Sequence, residues 1–178
     1  MDSKKRKLEY HADDMALGNS FSTLRTMTEI RKRLHDFILR SPAHDDIVKK
    51  LVNETWPVCL LDIRNNDGMT ALHYAVMGNQ SDIVRQLIVA GANPLAKDDS
   101  GCIPLHYACS FGIGNVIAPL TEAFNHQEIT RMQSKNLTIP DLSISFQARN
   151  INGATPLHLA AQFGCVNVVK IFIEHKFI

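Results

Sequence analysis

Three histidines, His73, His106 and His158, four cysteines, Cys59, Cys102, Cys109 and Cys165, and the carboxylate pair Asp98 and Asp99 are the side chains best equipped for chemistry. Imidazole and thiolate are zinc ligands, and a zinc site gathers its ligands around one point. The histidines are spaced against that. Each occupies the fifth place of a recurring octet, MTALHYAV (69–76), CIPLHYAC (102–109) and ATPLHLAA (154–161). Equivalent residues on stacked helices lie ~10 Å apart, so the spacing predicts three separate structural histidines, each hydrogen-bonded to a neighbouring turn. The cysteines form no close CxxC pair. Cys102 and Cys109, seven apart, read as buried small hydrophobes on a shared helix face, with a reactive thiol as the alternative. Asp98 and Asp99 fall at the tip of a turn, where carboxylates are expected to be wet and ionised. No G-x-S-x-G, H-E-x-x-H or Walker A run occurs. No catalytic residues, metal or cofactor are expected, and the chain is not read as an enzyme.

The octets mark an internal repeat. Gly68 and Gly101 precede two of them and stand 33 residues apart; Gly101 to Gly153 is 52, or 33 plus 19. The segments NNDG (65–68), DDSG (98–101) and NING (150–153) combine Asn/Asp turn formers with a glycine free to take positive φ. They predict hairpin-like fingers. Pro104 and Pro156 suit a first helical turn, and Thr70 and Thr155 can bond a backbone group or the following histidine. Leu72 and Ala75, Leu105 and Ala108, Leu157 and Ala160 are i, i+3 pairs on one helix face, the alanines small enough for close approach. Gly78, Gly112 and Gly164 are read as breaking these helices. Second helices follow at 81–91, 113–124 and 166–175, with Pro119 an expected kink in the middle one. A period of 33 with a T-P-L-H-like core is a repeat signature, to be weighed before any other feature.

The remaining chain is read around that array. Residues 1–50 hold eleven Lys/Arg against eight Asp/Glu, and residues 51–178 hold eight against ten. A basic front thus precedes a slightly acidic body, and a formal net charge of +1 gives no global field for nucleic acid. Residues 1–22 are expected to form a disordered basic tail; Lys4, Lys5, Arg6 and Lys7 resemble a nuclear-import motif or serve as a solvated tail. Residues 23–60 are read as a degenerate N-terminal capping repeat built from helices over 24–39 and 43–54. The repeats then run over 61–178, as 61–93, 94–149 and a truncated 150–178. The additional 19 residues fall within 125–149, as a loop on one face or a spacer, with Ile129 and Met132 able to add a helical turn. At the far end, Phe177 and Ile178 are expected to expose apolar surface, through a partner, truncation or fraying. No apolar run is long enough for a membrane span. The expected location is cytoplasmic and/or nuclear, with no membrane partner and no direct nucleic-acid partner.

The T-P-L-H-like octets at a period of 33 resemble ankyrin repeats over 62–175, about two thirds of the chain. The resemblance implies an all-α ankyrin-repeat solenoid with β-hairpin-like fingers. More closely, GANPLAKDDSGCIPLHYAC (91–109), NVIAPLTEAF (115–124), the long insertion and RNINGATPLHLAAQFG (149–164) are similar to the inhibitor-of-kappaB family, insect Cactus included. That family carries an insertion after the second helix of a central repeat. Departures are plain: three clear repeats and one degenerate one instead of six or seven, no acidic tail, and Pro104 where D-S-G-x-x-S needs its second serine. A short chain of this kind resembles the viral ankyrins of polydnaviruses. The resemblance implies a protein-binding module that masks a Rel/NF-kappaB factor through its Rel-homology domain without signal-dependent degradation. An ankyrin adaptor for an unrelated partner is the alternative. Expected contacts are the finger residues Asn66, Asp67, Lys97, Asp98, Asp99, Asn150 and Asn152, and the first-helix residues Tyr74, Met77, Tyr107, Ser110 and Gln162.

Overall fold

The computed structural model describes residues 61–174. The basic tail with Lys4, Lys5, Arg6 and Lys7, the proposed repeat over 23–60 with Cys59, and Phe177 and Ile178 lie outside the described residues. Within them the order is α1 (Ala71–Met77), α2 (Ser81–Val89), α3 (Pro104–Ser110), a 3-10 turn (Gly114–Val116) running into α4 (Ile117–Thr121), α5 (His126–Ser134), a second 3-10 segment (Leu142–Gln147), α6 (Pro156–Gln162) and α7 (Val166–Glu174). The pairs α1/α2, α3/α4 and α6/α7 are the repeats. α1 packs on α3, and α3 on α6, while α2 packs on α4 in a second layer.

Packing follows the periodicity. Leu72, Ala75, Leu105, Ala108 and Ala160 are fully or almost fully buried, and the alanines let first helices meet closely. From the second layer Ile83, Val84, Leu87, Ile88, Val116, Ile117, Val168 and Phe172 close the same core. Helices of five to nine residues are marginal alone, so most of their stability comes from this shared apolar face.

The fingers correct the sequence reading. Among the described residues there is no β-strand, and the expected β-hairpin-like fingers are tight turns. Each is closed by a backbone bond, from the N–H of Asn65 to the Met69 carbonyl (2.8 Å), of Asp98 to Cys102 (2.9 Å) and of Asn150 to Ala154 (3.0 Å). Consecutive fingers are joined by one rung, the Asp99 N–H to the Asp67 carbonyl and the Ile151 N–H to the Ser100 carbonyl, each 3.1 Å. A ladder needs successive rungs along an extended segment, and the tight turns leave no length for one.

Helix ends differ in detail from the expectation. Gly112 and Gly164 take positive φ (68° and 67°) where α3 and α6 end, but in the first repeat that position belongs to Asn79 (φ 56°). Gly78, one residue earlier, is right-handed at φ −77°. Asn tolerates the left-handed region better than other side chains. In the middle repeat the second helix does not kink at Pro119. It starts late, through the 3-10 turn, so that Pro119 is the third residue of α4, in a first turn where no intrahelical N–H is missed.

The inserted segment is structured and anchored. Asn125 caps α5, accepting from the Glu128 N–H (2.9 Å), while Glu128 accepts from the Asn125 N–H (2.8 Å), a capping box. The same Glu128 takes a two-pronged bond from Arg85 of α2, Nε and Nη2 each at 2.7 Å. Arg85 also donates to the carbonyls of Pro119 (3.2 Å), Glu122 (3.0 Å) and Ala123 (2.9 Å) and lies 4.5 Å from the Phe124 ring centre. All five guanidinium donors are used, mostly on carbonyls that the end of α4 leaves open. The Arg85 guanidinium accordingly holds the Glu128 carboxyl below its ordinary range. Beneath, Met132 and Leu142 are buried, and Phe146 meets Phe172 of α7 edge-on at 5.3 Å, so the insertion ties the middle repeat to the last. Arg85→Met should cost about 2–4 kcal/mol in urea unfolding, because Glu128 and three carbonyls lose their donor. Arg85→Lys should recover little of that, since an ammonium lacks the fork. Amide exchange over 126–134 should rise in both variants.

Candidate functional site

The fingers are organised by one recurring acceptor. Asn65 Oδ1 accepts from the N–H groups of Asp67 (2.9 Å) and Met69 (2.8 Å). Asp98 Oδ1 accepts from Ser100 (2.9 Å) and Cys102 (2.7 Å), and Asn150 Oδ1 from Asn152 (3.0 Å) and Ala154 (2.9 Å). These are Asx turns at the same place in each repeat. Tyr74 and Tyr107, one helical turn along, lock the first two: Asn65 Nδ2 donates to the Tyr74 hydroxyl (2.6 Å), and the Tyr107 hydroxyl donates to Asp98 Oδ2. Burial and the Asp98 carboxylate push the Tyr107 phenol up, which keeps it a donor. Gly68 completes the first finger at φ 77°, where an added Cβ would strike Asp99 and Arg64.

The histidines bind one repeat to the next. His73 Nδ1 accepts from the Thr70 N–H (3.1 Å) and its Nε2 reaches the Cys102 carbonyl (3.2 Å) in the next finger. His106 accepts from the Ile103 N–H (3.1 Å) and reaches the Ala154 carbonyl (3.0 Å). An acceptor Nδ1 leaves the proton on Nε2, so both rings are neutral bridges with a fixed tautomer. His158 keeps the local bond, Thr155 Oγ1 to Nδ1 at 2.7 Å, but is exposed. Among the described residues no group of His, Cys, Asp or Glu gathers as a metal site.

Sorting the sequence-predicted contacts by what they touch divides them. Asp98 is 5% exposed and engaged three times over, so the expectation of a wet carboxylate there is overturned. Asn150 is likewise an internal cap, and Tyr74 and Tyr107 are half-buried props. Ser110 bonds its own helix through the Tyr107 carbonyl (3.2 Å), and Met77 is half-buried. Asn66, Asp67, Lys97, Asp99, Asn152 and Gln162 are exposed. Of these, Asp99 pairs with Arg64 of the preceding finger at 3.0 Å, and Lys97 donates to the Arg149 carbonyl at 3.0 Å. The reading of NNDG as a turn closed by an Asn side chain holds for Asn65, and sequence reasoning missed the exposed aromatics Phe111 and Phe163. Among the described residues the thiols read as structural: Cys109 is buried and pushed up by burial, Cys102 is raised for the same reason, and Cys165 donates to the Ser110 carbonyl at 3.6 Å. Cys102 precedes α3, so it does not share a helix face with Cys109.

Capped turns, paired short helices and histidine bridges define an ankyrin-repeat scaffold. Residues 34–133 match the family profile for ankyrin repeats in three copies, and residues 152–176 match the single ankyrin repeat. The chain belongs to the ankyrin-repeat family. It is similar to human NF-kappa-B inhibitor alpha, 34% identical over 117 residues, which is 66% of this chain and 33% of that protein. It also resembles the putative ankyrin repeat protein FPV223 of fowlpox virus, 28% identical over 121 residues, 61% of this chain and 86% of that one. Among solved structures it is similar to the ankyrin repeat domain of Bcl-3, a member of the IkappaB protein family. The TM-score is 0.58 and the identity 28%, over 80% of this chain and 55% of that one. The chain spans about a third of the length of NF-kappa-B inhibitor alpha. It is a repeat scaffold related to the IkappaB and Bcl-3 proteins. Among the described residues no helix is long and apolar enough to cross a membrane.

Two outcomes are expected. Asp98→Asn should cost under about 1 kcal/mol, since Asn65 and Asn150 do the same work, whereas Asp98→Ala should cost about 2–4 kcal/mol by orphaning two amides and the Tyr107 hydroxyl; thermal unfolding checks both. Burial lowers the His73 and His106 pKa values below the ordinary 6.5, so the unfolded chain takes up protons first as pH falls. Stability should be full above 6.5 and decline as pH falls through it toward the folded values, by at most about 1.4 kcal/mol per pH unit for each ring. Urea midpoints measured from about pH 7.5 to about 5.5 should therefore fall, and a flat profile contradicts the neutral bridge.

Proposed function

We propose that this chain is a protein-binding module that masks a Rel-homology-domain factor, holding it inactive without signal-dependent degradation. The observation that carries the reading is the likeness, over the repeats, to NF-kappa-B inhibitor alpha and to the Bcl-3 ankyrin domain. Geometry supports recognition by a broad surface: the first helices and fingers form a continuous open side. Its exposed finger charges, Asp67, Lys97 and Asp99 among them, stand ready to orient a partner. The slightly acidic body, with ten Asp/Glu against eight Lys/Arg over 51–178, suits a basic nuclear-import segment of the partner, charge giving specificity and on-rate more than affinity. Lys4, Lys5, Arg6 and Lys7 would act separately, on the module's own distribution between cytoplasm and nucleus. The likeness to the fowlpox protein supports a viral form of this role, in which a short ankyrin chain intercepts a host factor.

A purified Rel-homology domain should bind the 178-residue chain with a Kd at or below about 1 μM, and binding should weaken as salt is raised. Asp67→Lys with Asp99→Lys should weaken it further by reversing exposed charge without touching the capping Asp98. No binding at about ten times that concentration defeats the masking role and leaves an adaptor for an unrelated partner.

A further inference from the structure

The three fingers end alike, each in a glycine of positive φ, Gly68, Gly101 and Gly153 at 77°, 70° and 73°. The residue before that glycine differs: Asp67, Ser100 and Asn152. Asn152-Gly153 is the one Asn-Gly pair in the 178 residues. An asparagine side-chain carbonyl lies within reach of the next residue's main-chain nitrogen. A side chain on that next residue hinders their meeting, and glycine has none. The surroundings of the three glycines differ as well. A Cβ on Gly68 would strike the Asp99 carboxylate, and one on Gly101 would lie 2.9 Å from the Ile151 main-chain nitrogen, whereas one on Gly153 would meet nothing within 4 Å. The carbonyls of Asp67 and Ser100 each hold a rung from the next finger at 3.1 Å; among the described residues the Asn152 carbonyl accepts no such bond. Tyr74 and Tyr107 lock the first two fingers, but Leu159 stands at their place and has no hydroxyl for Asn150. Asn152 is exposed, and its side-chain amide makes no hydrogen bond among the described residues. The finger that carries the Asn-Gly pair is thus the least restrained of the three.

We propose that Asn152 is a self-modifying site, which deamidates through Gly153 and so places an age-dependent negative charge at the tip of the third finger. The Gly153 main-chain nitrogen, its proton passed to hydroxide, attacks the Asn152 side-chain carbonyl carbon. A nitrogen–carbon bond forms, the bond to the side-chain amide nitrogen breaks, and ammonia leaves with a proton from water. Water then opens the five-membered imide. Cleavage at the former side-chain carbonyl leaves aspartate. Cleavage at the main-chain carbonyl leaves isoaspartate, with one additional methylene in the main chain. Nothing is oxidised or reduced, and water is the sole co-reactant. One bond stands in the way, from the Gly153 N–H to the Asn150 carbonyl at 2.9 Å. The step therefore proceeds through local opening of the turn, which the missing rung and the missing tyrosine favour. Both products add a carboxylate to fingers that already expose Asp67 and Asp99, but they differ in consequence. Aspartate fits, because Asp67 holds the same place before Gly68 at nearly the same glycine φ. Isoaspartate lengthens the chain between the two amides that Asn150 Oδ1 holds, those of Asn152 and Ala154, and shifts the Ala154 carbonyl away from His106.

The test ages the purified 178-residue chain in mildly alkaline buffer at body temperature and follows it by intact mass and peptide mapping. The mass gain of an amide turned into a carboxylic acid should map to residue 152 ahead of every other asparagine of residues 61–174, with aspartate and isoaspartate both present. Its rate should rise with hydroxide concentration. Asn152→Ser, which copies Ser100-Gly101, should lose the gain at that position and keep the parent's urea midpoint. Asn152→Asp should keep the midpoint too, while the separated isoaspartate form should unfold at lower urea. No gain at residue 152, an earlier gain elsewhere in 61–174, or aspartate without isoaspartate overturns the proposal. An isoaspartate form as stable as the parent overturns its coupling to the His106 bridge.

Discussion

A neutral imidazole that bonds in two directions at once is the constraint on which the array depends. His73 and His106 each accept from the amide that opens their own helix and donate to a carbonyl in the next finger. The first bond substitutes for the carboxylate of a capping box, which suits helices too short to fill their own amides. The second works only if the next finger holds its carbonyl in place. That is why every finger carries a side-chain acceptor, Asn65, Asp98 or Asn150, folded back onto its own amides.

Much of this is legible in the sequence because it is local and periodic. The octets mark the first helices, the 33-residue offset implies the stacking, and the spacing of the histidines points to bridges, which His73 and His106 form while His158 is exposed and keeps only its local bond to Thr155. What escapes the sequence depends on neighbours far along the chain. Asp98 reads as wet because a D-D-S-G turn is usually a surface tip, but Tyr107, nine residues away, folds over it. Gly78 reads as the helix terminator because glycine tolerates positive φ, yet Asn79 does that work. Pro119 reads as a kink until the shift from 3-10 turn to α4 places it in a first turn. The bond between Arg85 and Glu128 spans 43 residues and leaves no periodic trace. Phe111 and Phe163 carry no signal of their exposure in the sequence.

The two sides of the array are specialised differently. On the outer side, the insertion is fastened to α2 through one arginine and sealed over α7 by Phe146. The insertion buries Met132 and Leu142 while leaving Ile139 and Ile144 exposed, and its Glu128 is held by Arg85 of α2, so bracing accounts for part of it. On the inner side the polarity is reversed. Charge sits at the finger tips, at least partly spent on Arg64 and Asp99 pairing between fingers, while the first helices carry no Asp, Glu, Lys or Arg. Exposed ion pairs add little to stability, so the tip charges matter more for orienting an approaching molecule than for holding the repeats together.

That division assigns different tasks to the two surfaces in any complex the module forms. Charges that remain hydrated act over roughly a Debye length and are screened by salt; they govern encounter. Rings that lose water on contact act only at touching distance and are nearly indifferent to salt; they govern how long the complex lasts. A rigid floor sharpens the second effect. Tyr107 is held by a buried carboxylate that is itself held by two amides of the finger, and the same tyrosine meets the histidine bridge of the previous repeat. The hydrogen bonds that set repeat against repeat are therefore also the ones that fix the recognition surface.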